Sequence, residues 1–492
     1  MTQAEIDALR AAPVAPGRHL IDGRADRSDS GEELTVINPA LGSPLTTIPA
    51  GSAADADRAV AAARRAFDDG RWSGLAPAAR KAIMLRWADL IEREALSLAV
   101  LGSRDNGTEI AMAFKAEPGS AIATLRYYAE AADKLNGEIA PTAPGTLGLI
   151  HREPVGVVAA IIPWNFPLMI GAWKLGPALA AGNTVVIKPA ETASLSLIRM
   201  VELAHEAGMP PGVLNLVTGE GGVVGDALAR SPLVDAIVFT GSGATGRKLL
   251  HASADTNLKR CYLELGGKSA NVVFADAPDL EEAAAVSAAG IFRNSGQVCV
   301  AGSRLLVERS IHDDFVAALA RHAAAMRVGD PLDLATQSGA VNNADQLARN
   351  LAFVGTAQAE GGTVVQGGAQ IARDGYFMEP TIITGVAETH TIAQQEVFGP
   401  VLAVTPFDTE KEAVQFANAT VYGLAGGVWT SNLSRAHRMV GALKTGVVHV
   451  NTYGGPDVTV PLGGVKQSGN GHDKSLHAFD KYTDLKTAWI KL

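Results

Sequence analysis

The chain has 492 residues, a formal charge of −9, and 47% hydrophobic against 19% charged residues. That length exceeds what one hydrophobic core serves and predicts two or three domains. The apolar content excludes a disordered chain, and the absence of any Lys/Arg block excludes a nucleic-acid or anionic-membrane partner.

Two cysteines, Cys261 and Cys299, are too few for a disulfide framework and fit a thiol-keeping compartment. Residues 1–17 lack a basic start followed by an apolar run, so no secretory leader is expected. The longest apolar stretch, 155–163, is too short to span a bilayer. A cytoplasmic location is the expectation.

In chain order, residues 1–17 read as a loose N-terminal segment. Residues 53–67 are Ala-rich with helical spacing, and Ser52 is placed to cap them. Residues 78–102 and 121–136 predict two further amphipathic helices. A new pattern follows. Residues 155–162 form a short buried strand ended by Pro163, and 173–181 a helix with Gly182 as its C-cap. Strands at 184–187, 213–217 and 236–239 alternate with helices at 194–208 and 223–229, which predicts a parallel, doubly wound sheet. A second alternating region begins near Gly266: strand 271–274, helix 280–292, strand 304–308, helix 312–327, and a further series to about residue 450. No repeat or low-complexity linker separates the halves.

Five segments carry residues suited to chemistry. Gly241-Ser-Gly243-Ala-Thr-Gly246 follows a strand and opens a helix, as a pyrophosphate-binding turn does. Glycine turns before helices also serve structure alone. Glu264 follows Gly246 by 18 residues, near where a ribose-binding acid would stand, although the fingerprint comes late in the chain. Cys299, in Asn294-Ser-Gly296-Gln-Val-Cys299, is either an inert core thiol or a nucleophile on a glycine-bearing loop; Cys261 fits the inert reading better. Glu264 lies between two leucines before Gly266-Gly267-Lys268. Desolvation there would suit a general base, and pairing with Lys268 would suit plain structure. Asn165, bracketed by Pro163 and Pro167, is a stiffly held amide fit for an oxyanion or a turn. Lys188 and Glu191 could bind a ribose diol or form a surface ion pair. No His/Cys cluster has zinc spacing, and no metal is expected.

Taken together, PWNFP at 163–167, KPAE at 188–191, FTGS at 239–242, LELGGK at 263–268, GQVC at 296–299 and EVFGP at 396–400 resemble the aldehyde dehydrogenase superfamily in order and spacing. The resemblance covers nearly the whole chain. It implies an α/β fold with a Rossmann-type NAD-binding domain (1–136 and 157–265), an α/β catalytic domain (266–450) and a small oligomerisation flap (137–156 and 479–492). Residues 451–478 would form the substrate-tunnel loop and return to the NAD-binding domain. A homodimer or homotetramer is implied.

The same resemblance assigns Cys299 as nucleophile, Glu264 as the base for the hydrolytic water, and Asn165 with the Cys299 N–H as the oxyanion hole. Glu264 thus leaves the ribose role, which passes to Lys188 and Glu191. Trp164, Gly241, Ser242, Gly246 and Leu265 would lie along the NAD site, with Glu396 on the nicotinamide ribose and Phe398 by the nicotinamide. Leu462, in PLGG, departs from a phenylalanine common in the family. An acylating enzyme that releases its thioester to coenzyme A, and a non-catalytic binding protein, are the rivals; Glu264, Cys299 and Asn165 speak for hydrolysis.

Within the family, DVTVP at 457–461, KQSGNGHDKSLHA at 466–478 and LKTAWI at 485–490 resemble bacterial γ-glutamyl-γ-aminobutyraldehyde and related aminoaldehyde dehydrogenases. The expected tunnel has Trp173 and Phe292 on its apolar wall and Asp457 and Glu117 at its mouth, suited to a distant cationic amine. The alternative is a broad aliphatic or aromatic aldehyde enzyme.

Overall fold

In the computed structural model, which describes residues 1–455 and 457–492, the alternating strands assemble into two seven-stranded sheets. The first runs Arg260–Glu264, Ala236–Thr240, Val157–Ile161, Thr184–Lys188, Leu214–Leu216, His19–Ile21, Arg24–Asp26. Its first five strands are parallel and the last two form an antiparallel hairpin. Val157–Ile161 and Thr184–Lys188 are buried at every position, as a parallel sheet covered on both faces requires.

Side-chain alternation divides the two cores. Val158 and Ala160 pack with Trp87, Leu125, Leu175 and Leu203, whereas Val157, Ala159 and Ile161 pack with Ala59, Val60, Leu249 and Ala252. Each fully buried Val, Leu or Ile side chain among them contributes roughly 1.5–3 kcal/mol, and each alanine less.

The second sheet runs Thr363–Gln366, Thr381–Thr384, Val401–Phe407, Arg304–Glu308, Ala270–Val273, Ala425–Trp429, Val447–Val450, parallel except at Thr363–Gln366. The C-terminal strand Thr483–Lys491 pairs antiparallel with Thr146–Pro154, which also pairs with Glu138–Ala140. This small sheet exposes Leu485, Trp489 and Ile490.

Several elements depart from the sequence expectation. The N-terminal segment is not loose: Gln3–Ala11 is a helix with a Thr2/Glu5 capping box, and its buried Ile6 anchors it. Residues 78–102 form two helices, Pro77–Arg93 and Ala95–Asn106, parted at Glu94 with neither glycine nor proline at the break. The Glu94 carboxylate turns out to meet Arg199 at 2.6 Å. The helix expected from 173 starts at Pro167, because the apolar run before Trp173 has no polar face to reveal its period. Ser52 caps Ala53–Asp68 as expected, in a capping box with Asp55.

Candidate functional site

Asn165, Lys188, Ser242 and Glu264 come from different strands yet share one edge of the first sheet, at or just beyond the strands' C-terminal ends. Ligands of open α/β sheets bind at that edge. The second sheet supplies Cys299 and Glu396 from loops leading into Arg304–Glu308 and Val401–Phe407.

The Cys299 loop is held in an unusual conformation. Asn294 (φ 50°), Ser295 (φ 51°) and Gly296 (φ 71°) are all left-handed. A Cβ at Gly296 would stand 2.1 Å from the Gly399 carbonyl oxygen, so only glycine fits. Gln297 Nε2 donates to Asn294 O (3.0 Å), and its Oε1 accepts from Asn342 N (2.8 Å). Asn165 Nδ2 donates to Gln297 O at 2.9 Å, which ties the PWNFP loop to the cysteine loop. Burial, together with the Glu396 and Glu264 carboxylates, pushes the Cys299 thiol up to about 12. Cys261 is buried in Arg260–Glu264, in keeping with an inert thiol.

Glu264 does not pair with Lys268. Its Oε1 is buried with no hydrogen-bond partner among the described residues, and so is Lys268 Nζ. Burial raises the Glu264 carboxyl well above its ordinary range, and Asp473 adds to the rise; Lys174 and Lys481 pull it back. Burial alone would also raise Asp473, but two lysines hold it low: Lys174 Nζ donates to Oδ2 and Lys481 Nζ to Oδ1, each at 2.5 Å. Sequence reading missed this triad, because Lys174 and Asp473 stand 299 positions apart and carry no local motif.

Along the same edge, Ser242 caps the twelve-residue helix Gly243–Ala254, and its Oγ accepts from Thr245 N (3.2 Å). A Cβ on Gly246 would approach Leu265 to 3.0 Å, so this glycine lets helix and strand close up. Gly241 is the first residue of this turn, and its N–H donates to Glu264 O. A cavity of about 340 Å³ is lined by Glu191, Thr192, Glu220 and Gly221. Lys188 is buried and donates to Pro189 O (2.6 Å) and Glu191 Oε2 (3.5 Å). Glu396 Oε1 accepts from Gly267 N (2.9 Å), and a Cβ at Gly266 would strike the Glu396 carboxylate. Trp164 and Phe398 meet edge to face, centroids 5.2 Å apart. An acidic cavity, a capped helix N-terminus and a carboxylate seated against glycine fit a dinucleotide laid across this edge.

A model of the aldehyde dehydrogenase family matches residues 26–488. The chain belongs to this family. It is 49% identical to the NADP/NAD-dependent aldehyde dehydrogenase PuuC of Escherichia coli (strain K12), with 96% of each chain covered. Among solved structures, the γ-glutamyl-γ-aminobutyraldehyde dehydrogenase of Burkholderia cenocepacia J2315 is 47% identical with a TM-score of 0.98, each chain covered in full. The P. syringae indole-3-acetaldehyde dehydrogenase AldA, solved as a mutant with NAD+ and IAA, is 50% identical with a TM-score of 0.98 and the same coverage. The aldehyde dehydrogenase resemblance and the α/β fold read from the motifs are thereby borne out.

The expected tunnel residues divide. Trp173 is half-buried, with the Lys474 ammonium 5.5 Å from its ring centroid. Asp457 is exposed; its Oδ1 accepts from Thr459 N and Oγ1 at 2.6 Å, and it interacts electrostatically with Tyr127 and Lys474. Glu117 and Phe292 do not stand where the sequence placed them. Glu117 is 3% exposed, and its Oε2 accepts from Met169 N (2.8 Å) at the start of Pro167–Ala181. It stabilises a buried helix end rather than a tunnel rim. Phe292 is fully buried in the apolar core with Phe315 and Leu319, which removes it from any solvent-facing wall. Leu462 is likewise buried, and its backbone exchanges hydrogen bonds with Asp473.

Proposed function

We propose that this protein oxidises an aldehyde to its carboxylic acid with NAD, through a thioester on Cys299. The observation that carries the reading is the convergence of three groups: Asn165 bonded into the Cys299 loop, and the buried Glu264 carboxyl, its Oε1 without a hydrogen-bond partner among the described residues, acting electrostatically on that cysteine.

The Cys299 thiol gives its proton up to solvent, and the sulfur adds as thiolate to the carbonyl carbon. One Asn165 amide hydrogen is taken by Gln297 O, which fixes the side chain and leaves the other, with the Cys299 N–H, for the new oxyanion. Bound NAD supplies the hydride acceptor. Lys188, Glu191, Ser242 and Glu396 would hold it, with Gly241, Gly246 and Leu265 shaping the turn beneath, Trp164 by the pyrophosphate and Phe398 near the nicotinamide. Glu264 then takes a proton from water as the oxygen attacks the thioester, and the thiol returns. Cys299→Ala should abolish NADH formation while NAD still binds; substantial turnover by the folded variant would refute the nucleophile.

For the substrate, we favour an ω-amino or γ-glutamylamino aldehyde. Exposed Asp457, facing Tyr127 beside the Trp173 wall, would attract a distal ammonium. Two proteins similar to this chain, the γ-glutamyl-γ-aminobutyraldehyde dehydrogenase of Burkholderia cenocepacia J2315 and the 43% identical aminoacetaldehyde dehydrogenase of Pseudomonas aeruginosa, point the same way. Lys474 beside Asp457 weakens that field and favours the second reading, a broad aliphatic or aromatic aldehyde enzyme. The test compares an ω-aminoaldehyde with a neutral aldehyde of equal length, in wild type and Asp457→Asn. A better neutral substrate, with both rates unmoved by the substitution, would contradict the aminoaldehyde. The exposed strand Thr483–Lys491 supports assembly into a dimer or tetramer through the small sheet.

A further inference from the structure

A short segment outside every motif discussed so far, Asn106 to Glu109, touches both halves of the catalytic pair. Asn106 Nδ2 donates to the Trp164 carbonyl (3.4 Å), one residue before Asn165. Thr108 Oγ1 donates to Asn294 Oδ1 (2.8 Å). The Glu109 side chain, 2% exposed, accepts from Asn294 N at 3.1 Å and 3.2 Å. Ser295 Oγ in turn donates to Gly339 O (2.8 Å). The segment fits only because its neighbours are small: a Cβ at Gly339 would lie 2.0 Å from Gly107 O.

Asn294 and Ser295 are non-glycine residues in the left-handed region, a conformation that persists only where surrounding contacts over-determine it. Asn294 N, the first amide of that turn, is held by Glu109, while Asn294 O receives Gln297 Nε2. Gln297 O then receives Asn165. A continuous hydrogen-bonded chain thus runs from Glu109 through Asn294 and Gln297 to the oxyanion-hole amide, alongside the backbone that ends at Cys299.

We propose that Glu109 is a positioning residue: its buried carboxylate clamps the left-handed turn Asn294–Gly296 and so sets Cys299 against Asn165. This rests on Cys299 being the nucleophile. A carboxyl side chain is well suited, since both of its oxygens accept from the Asn294 amide that opens the turn. The Asn106 contact to Trp164 O extends the same segment to the other loop, so one strap fixes both reacting partners.

The test measures the rate at which iodoacetamide alkylates Cys299, by intact mass and peptide mapping, beside kcat, KM and NAD binding by fluorescence titration. In Glu109→Ala the alkylation rate and kcat should fall together by about tenfold or more, since small misplacements near the reacting atoms are costly. KM for the aldehyde and the NAD affinity should hardly move. Glu109→Gln, which still accepts from Asn294 N, should recover most of both losses. Wild-type alkylation and kcat in Glu109→Ala would overturn the proposal. So would a loss spread evenly over KM, NAD affinity and thermal stability with no recovery in Glu109→Gln. Should Glu109→Ala not fold, Thr108→Val removes one contact to the same turn; an unchanged alkylation rate there would overturn it equally. Full turnover by Cys299→Ala would instead refute the nucleophile assignment, a separate result.

Discussion

Asn165 Nδ2 and the Gln297 carbonyl lie 2.9 Å apart, so the amide that would hold an oxyanion is fixed by the loop that carries the nucleophile. Asn165→Ala removes both the donor and this tie. We expect kcat to fall by about 10²–10³, the usual cost of losing one oxyanion donor. Steady-state kinetics and NAD titration would show the loss in kcat with NAD affinity kept. A fall of less than about threefold would not fit an oxyanion role.

Lys481 bonds Asp473 and lowers the Glu264 carboxyl pKa through its charge. A base acts when ionised, so thioester hydrolysis should rise as pH climbs through the Glu264 pKa. Lys481→Met removes a positive charge, the Glu264 pKa rises further, and the acid limb of the steady-state pH profile should move to higher pH. A limb that stays in place, or moves to lower pH, would show that the triad does not tune Glu264.

Glu117 bears on stability. Burial lifts its carboxyl from 4.5 to about 8. Between those values the folded chain keeps a proton that the unfolded chain has released, so this group's contribution to stability falls as pH rises. Glu117→Gln retains an acceptor for Met169 N and cannot ionise. Its Tm relative to wild type should therefore improve steadily from about pH 5 to pH 8. A constant difference across that range would contradict the assignment.

The cofactor preference follows from the acidic cavity. Glu191 and Glu220 line it, and Lys188 is buried and already engaged with Pro189 O and Glu191. A 2′-phosphate would meet two carboxylates, so kcat/KM for NAD should exceed that for NADP. Glu191→Gln should narrow the gap, chiefly by improving NADP. Equal values in the wild type would refute the reading.

Much of this site was legible because its residues sit in short local patterns. Strand, glycine turn and helix identified Ser242 and Gly246, and GQVC and LELGGK marked Cys299 and Glu264. What stayed hidden depends on tertiary contact. The Lys174–Asp473–Lys481 triad and the Glu109 clamp join distant segments, and neither has a period or a turn signature. Glu117 misled for a related reason: an acid near a predicted helix reads as a solvated end, and only packing shows that it serves a different, buried helix start. The helix at Pro167–Ala181 was shortened in the reading because uniformly apolar sequence has no phase.

The account turns on a covalent thioester at Cys299 that Glu264 helps water to cleave. The direct measurement is rapid mixing of Glu264→Gln with NAD and aldehyde, quenched for intact-mass and peptide analysis. The account expects a burst of about one NADH per active site, then a stall, with an acyl group recovered on Cys299. An unchanged steady-state rate with no acyl adduct on Cys299 would contradict it.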